Sequence, residues 1–527
     1  MKPRIGWGLC ALPVLATSFG LATASAEVPD ERAITAYAEH ALQVWQVPGM
    51  AIAVVEDGQA AFAGGIGVRE LGRPERMDAD TVFNIGSVTK AFAAMAAAIA
   101  VDRGQIEWDE PVIRWLPGFR VRDPYATAEA TFRDLFAHRV GVAGFYVNGL
   151  ALSRQEMVRL IQYEKPRMPF RAGHVYSNVL YGAAGLAVAN AVGSSWDDHI
   201  RAVIFEPLGM SSSSTTALAL AESPNRASSH LRGRDGVLRL DPFRPHGWWS
   251  MDNHAAAGAV NSTARDMARW LEFQLGDGRF RGRRLLSQEA FAETHLDQAI
   301  HHSSWRGHPQ PGIVPGFTDS PSNYTLGWRS SHYHKEHILS HGGLIRGHGS
   351  IALIHPGGRF GVFVFANARE GARGLADGVA QWILDRHLKL PERDWARIQK
   401  RNYDEKQRAE AQKERELLQR PALVQPAPAP LSAFVGTYQA VDGWERYVIS
   451  LQDGKLRLEL QQMAEPYFAI LDHWNSDVFR PAWNETVTEY ELADLVNFTF
   501  GAQDEVRSMV FFHAWTDARE EFLYLRR

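Results

Sequence analysis

The sequence predicts two folded units of different class: an α+β domain over residues 27–388 and a small all-β barrel over residues 431–527. Three observations predict this. Strand-like runs lie at both ends of the first region and helical patterns fill its middle, so one sheet should join the two chain ends. The proline-rich stretch from Pro421 to Pro430 cannot continue a helix and reads as a semi-rigid linker. Beyond it, short strand signals recur at regular spacing, the pattern of an antiparallel barrel.

Taken in order, residues 1–26 read as a signal peptide. Lys2 and Arg4 are followed by an apolar stretch from Ile5 to Leu21, and Ala24-Ser25-Ala26 fits small-residue cleavage. Pro13 and Gly20 interrupt the stretch, which is short for a membrane anchor. The expected location is periplasmic or secreted, without stable membrane insertion after cleavage. The only cysteine, Cys10, lies in this leader, so the mature chain has no disulfide and no thiol for catalysis or metal binding. Hydrophobic residues are 45% and charged residues 22%, as in soluble globular proteins. A net charge of −4 gives no basic footprint for nucleic acid.

Within the first domain, Ala51 to Val55 and Ala60 to Gly64 flank Glu56-Asp57-Gly58 as a β-hairpin. Thr131 to Asp134 and Thr263 to Asp266 each read as a capping box that opens a helix. Ile351 to Ile354 and Phe360 to Phe365 read as a second hairpin around His355 to Gly358. Residues 389–430 form a connector. Its Glu-, Lys- and Arg-rich part from Pro391 to Arg420 should be a solvated helix with local ion pairs. In the tail, Asp453-Gly454 marks a hairpin turn between two strands.

The chemistry centres on Ser87-Val88-Thr89-Lys90, between the strand-like Thr81 to Ile85 and the segment from Ala91 to Val101. That segment is apolar on every face, so its helix should be buried. Residues three apart share a helical face, which brings Lys90 under the Ser87 hydroxyl. Burial lowers an amine's pKa, and a helix N-terminus favours the charge that develops on an attacking oxygen. Tyr176-Ser177-Asn178 is a second candidate. Beside a lysine ammonium its phenol can become a tyrosinate base, and the asparagine can orient an amide. Tyr146-Val147-Asn148 has the same spacing. His341-Gly342-Gly343 is the third, where glycines let a substrate approach a strand closely. His332, His334 and His337 have ligand-like spacing, but no further spaced ligands join them, so no metal is expected.

In this order the three motifs resemble the serine β-lactamase and penicillin-binding family, nearest its class C β-lactamase, esterase and D-aminopeptidase branch. Phe83 to Lys90 resembles its nucleophile segment. Leu135 to Gly141 is similar to its Leu-Leu-x-His-x-Ser-Gly stretch, with Val140 where serine is usual. Gly173 to Gly185 resembles its Tyr-Ser-Asn region, which favours Tyr176 over Tyr146. Gly258 to Asp266 looks like its Gly-x-x-Ser-Thr-Ala-x-Asp helix start. The tail from Leu431 resembles a lipocalin-like barrel.

The resemblance implies a β-lactamase/transpeptidase-like domain, an antiparallel sheet plus a helical region, and acyl transfer in two steps without a cofactor. Ser87 would be the nucleophile, with Lys90 and Tyr176 moving its proton. Asn178, His341 and Gly343 would line the substrate site. The backbone N–H groups of Ser87 and Leu344 would form the oxyanion hole. One departure stands out: no Lys-Ser/Thr-Gly occurs, and His341 replaces the lysine. The expected function is an exported serine hydrolase that cleaves amide or ester bonds of small molecules or short peptides, D-amino-acid-containing ones included. A β-lactamase or DD-carboxypeptidase is one alternative, and a penicillin-sensor-like binding protein another. Homo-oligomerisation is left open.

Overall fold

The computed structural model describes residues 30–144, 152–233, 236–241, 250–301, 322–369, 372–440, 445–461, 467–484, 495–501, 503, 505–512 and 522–527. The expected signal peptide and Tyr146 to Asn148 lie outside these residues. Among the described residues, no helix is long and apolar enough to cross a membrane.

Helix α1 (Glu31–Trp45) starts where the Asp30 carboxylate accepts the Ala33 N–H, and it buries Ile34, Ala38, Ala41, Leu42 and Trp45. Strands β1 (Gly49–Glu56) and β2 (Gln59–Gly67) form the first expected hairpin. Helix α2 (Thr89–Asp102) is buried from Thr89 through Ala100. Its alanines let neighbours approach, and Phe92 stacks on Trp270 at 3.7 Å between ring centroids. Helix α3 (Asn178–Val192) is similarly buried and ends at Gly193 in the left-handed conformation.

The chain then returns to the sheet through β3 (Ala299–His301), β4 (Ser322–Tyr324), β5 (Arg329–Tyr333), β6 (Glu336–Ile345), β7 (His348–His355) and β8 (Phe360–Ala366). The sheet order is β2-β1-β8-β7-β6-β5-β4-β3, antiparallel throughout. Met50 pairs with Ala366, so the sheet joins both ends of the domain as the sequence implies.

Helices cover both faces of the sheet. Ala51, Ala53 and Val55 of β1 pack in the cluster that contains α2 and α3. Met50, Ile52 and Val54 pack against α1, α4 (Ala372–His387) and the start of α5 (Trp395–Leu417). A strand covered on both faces reads as a continuous apolar run rather than an alternating one. Trp395 and Ala396 anchor α5 in this layer, and Lys400–Asp404 and Lys406–Glu410 are ion pairs on its solvated length.

The tail is a closed barrel of eight antiparallel strands, from Gly436–Ala440 to Phe522–Arg526. Tyr438 pairs with Arg526 to close it, and Phe434, Tyr438, Phe479 and Phe498 fill its core. Asp453 and Gly454 make the expected turn with φ of 49° and 75°. The segment before the barrel lies along it: Arg420 Nε donates to Trp474 O, and Ser476 N donates to Gln425 O.

Two local features differ from, or refine, the sequence reading. The capping box at Thr131 is complete, but the one at Thr263 is half formed. Thr263 Oγ1 accepts the Asp266 N–H, whereas the Asp266 carboxylate accepts the Ser212 N–H and the Ser213 hydroxyl. Those distant donors outcompete the local one. His332 and His337 face each other across the β5–β6 hairpin, with His334 and Lys335 at positive φ in its turn. No group of three or more metal-ligating side chains occurs among the described residues.

Candidate active site

Three segments meet around Ser87. Phe83 and Asn84 pair with Ser262 and Asn261, and the Asn84 side chain accepts the Gly86 N–H at 2.7 Å. Gly86 has φ of 55°, and a Cβ there would lie 2.8 Å from Leu344 N. Only glycine allows so tight a turn against β6. The turn continues as a single 3₁₀ turn, Gly86–Val88, and leads into α2. Ser87 is half-buried at this junction.

Lys90 is wholly buried. Its Nζ lies 3.1 Å from Ser87 Oγ, 2.8 Å from Asn178 Oδ1 and 2.8 Å from Ala257 O. Burial pushes its pKa well below the ordinary lysine value. In the neutral form that burial favours, the partners fix where the hydrogens point. A neutral amine has two hydrogens and one lone pair. Two of its partners are carbonyl oxygens that can only accept, so they take both hydrogens. The lone pair is left facing the Ser87 hydroxyl.

Tyr176 is half-buried, with Lys90 Nζ 4.7 Å from its ring centroid. Burial raises its pKa to about 12, while a hydrogen bond with Ser87 and the charges of Arg329 and Arg373 act the other way. Burial thus disfavours both the tyrosinate and the ammonium of the expected pair.

On the opposite wall, β5 pairs with β6 only as far as Arg329 and Ser340, so the β6 edge from His341 onward faces the Gly86–Val88 turn. A Cβ at Gly343 would lie 2.0 Å from Ile85 O, which places the strand directly against that turn. Leu344 has an exposed side chain, and its backbone nitrogen abuts Gly86. His341 is buried, with Nδ1 2.9 Å from Gly342 O and Nε2 3.0 Å from the Tyr324 hydroxyl. A carbonyl can only accept, so Nδ1 carries the proton and Nε2 accepts from Tyr324. Both ring nitrogens thus have partners within the protein. Burial, above all, holds the ring's pKa well below the usual histidine value, and the Arg329 charge acts in the same direction.

The structure therefore brings Ser87, Lys90, Tyr176, Asn178, His341, Gly343 and Leu344 together. It adds groups that sequence reasoning missed. Ala257 O and Tyr324 have no local signal, because their contacts are made across the fold. Arg329 is a second case. Its half-buried guanidinium has no ion pair or hydrogen bond among the described residues. Burial and the neighbouring Arg373 lower its pKa, while Tyr176 and Tyr324 act in the opposite direction.

Comparison with known proteins agrees with this fold. A family model described as beta-lactamase matches residues 34–384, and one described as a domain of unknown function (DUF3471) matches residues 420–524. The chain is 27% identical over 370 residues to the unguisins hydrolase ungD of Aspergillus violaceofuscus, covering 67% of this chain and 64% of that protein. Among solved structures, it is similar to the octameric penicillin-binding protein homologue from Pyrococcus abyssi, with TM-score 0.56 and 18% identity over 94% of this chain and 98% of that one. The D-amino acid amidase from Ochrobactrum anthropi SV3, complexed with L-phenylalanine amide, gives TM-score 0.53 and 24% identity over 68% and 97%. At these identities the structural matches show the shared fold.

Proposed function

Because this chain belongs to the beta-lactamase family of serine hydrolases, we propose that it cleaves amide or ester bonds of small molecules or short peptides through an acyl-enzyme on Ser87. The observation that carries this reading is the fully buried Lys90 Nζ, 3.1 Å from Ser87 Oγ, where its neutral form turns a lone pair to the hydroxyl. Lys90 Nζ takes the hydroxyl proton as Oγ attacks the carbonyl carbon. The oxyanion forms against the N–H groups of Ser87 and Leu344, and such donors are worth about 10²–10³-fold in rate. Lys90 and the Tyr176 phenol return a proton to the leaving amine or alcohol. Water then attacks the acyl carbon and releases the acid. Asn178 holds Lys90 and the substrate amide, and Gly343 lets the β6 edge, along which the substrate lies, pack against the turn that carries Ser87. His341 supports that edge through Tyr324. The leader-like residues 1–26 support a periplasmic or secreted location for this hydrolase.

A substrate panel tests the reading: D-aminoacyl amides, short peptides, p-nitrophenyl esters and a chromogenic β-lactam. Turnover of amides, peptides or esters should exceed that of the β-lactam, since the buried neutral His341 supplies no ammonium for a rigid carboxylate. Efficient β-lactam turnover with no other activity would restore the β-lactamase alternative. A burst of acylation without turnover would favour a sensor-like protein.

Arg329 supports a finer reading. It stands one strand beyond His341, where its cation suits a carboxylate on a flexible chain such as a peptide C-terminus. A charged hydrogen bond contributes about 1.5–3 kcal/mol. Arg329→Gln should therefore raise KM roughly ten- to hundredfold for a peptide with a free C-terminus. The amidated peptide should be unaffected. Equal effects on both would remove Arg329 from substrate recognition.

A further inference from the structure

We propose that His138 is a positioning residue for Tyr176, gripping the backbone on both sides of it. The inference rests on the catalytic role given to Tyr176 above. His138 follows the short helix Phe132–Phe136 and is fully buried. Its ring centroid is 4.4 Å from that of Tyr176. Its carbonyl accepts the Val175 N–H at 2.8 Å, and its Nδ1 accepts the Ser177 N–H at 3.0 Å. The backbone N–H groups of both neighbours of Tyr176, Val175 and Ser177, are thus bound by one residue. Ser177 in turn caps α3, its hydroxyl accepting the Leu180 N–H, so the same grip sets the start of the helix that carries Asn178.

Two unfavourable features point to position rather than stability. His138 has φ of 59°, a left-handed conformation uncommon for a residue with a side chain. Strain of this kind persists where the surroundings over-determine the backbone. Because Nδ1 accepts, the neutral ring carries its proton on Nε2, and that buried group has no partner among the described residues. An apolar side chain would avoid this bare N–H but would release Ser177. Burial, above all, holds the ring's pKa well below the usual histidine value, so Nδ1 stays an acceptor.

Four single variants and one double variant test the role on the full chain. Asparagine tolerates a left-handed backbone and its Oδ1 can accept the Ser177 N–H, so His138→Asn should keep kcat within about threefold of wild type. His138→Ala should lower kcat roughly 10- to 100-fold with little change in KM. His138→Gly relieves the backbone and should show the same kcat loss if the alanine variant folds poorly. In a Tyr176→Phe background, His138→Ala should add less than about twofold, because a residue acting through another couples to it. Impaired Tyr176→Phe with an unimpaired His138→Ala would overturn the inference alone, as would equal losses for His138→Asn and His138→Ala or losses that multiply in the double variant. Wild-type kcat in Tyr176→Phe would overturn the functional reading itself, and this inference with it.

Discussion

Ser87→Ala is expected to abolish turnover and to remove labelling by a serine-reactive phosphonate while the protein stays folded. The loss should be on the order of 10⁶-fold in kcat, since a missing nucleophile disables the rest of the machinery as a unit. The fold should survive because the Ser87 side chain is half-buried and its hydroxyl, among the described residues, bonds groups of the site, Lys90 and Tyr176. The turn that presents it is held by other atoms, chiefly the Asn84 side chain on the Gly86 N–H. Peptide mass analysis of phosphonate-treated wild type should find the adduct on Ser87, and the alanine variant should carry none. An alanine variant that still labels, or still turns over substrate, would move the nucleophile elsewhere.

The pair Ser87 and Lys90 was legible in the sequence because the segment after it is apolar on every face. Such a segment can only be buried, and burial is what makes the lysine chemically useful. The strand-like hairpins at both domain ends were legible for a related reason: β1 and β8 are apolar along nearly their whole length, and such strands, which pair here across more than three hundred residues, belong inside a covered sheet. What escaped is long-range and polar. Lys90 meets Asn178 and Ala257 at separations of 88 and 167 residues, and no periodicity encodes which oxygens those are. Tyr324 reaches His341 only because β4, β5 and β6 lie side by side. The sequence thus presented His341 as a group for the substrate, whereas its two nitrogens are used within the protein. The Thr263 box failed for the same reason, its aspartate drawn to Ser212 and Ser213 more than fifty residues away. Tyr146 lies outside the described residues, so the preference for Tyr176 rests on the position of Tyr176 beside Lys90 and Ser87.

Lys90→Met should give the second large loss, about 10²–10⁴-fold in kcat, the range typical of a lost general base. Methionine matches the length and apolar surroundings of the stem, so the α2 packing is kept while the lone pair aimed at Ser87 disappears. The pH dependence carries the sharper test. In wild type, kcat/KM should rise as Lys90 loses its proton and reach a plateau well below the usual lysine range, since burial lowers that pKa. This limb should vanish in Lys90→Met. Stability should show the same titration with a definite sign. The unfolded lysine binds a proton up to about pH 10.4, and the folded one releases it much lower, so the unfolded state holds more protons in between. Wild-type Tm should therefore gain on Lys90→Met as pH rises through that window. A wild-type acid limb that persists in Lys90→Met, or a Tm difference that is flat across pH, would show that Lys90 is charged in the folded enzyme and is not the base.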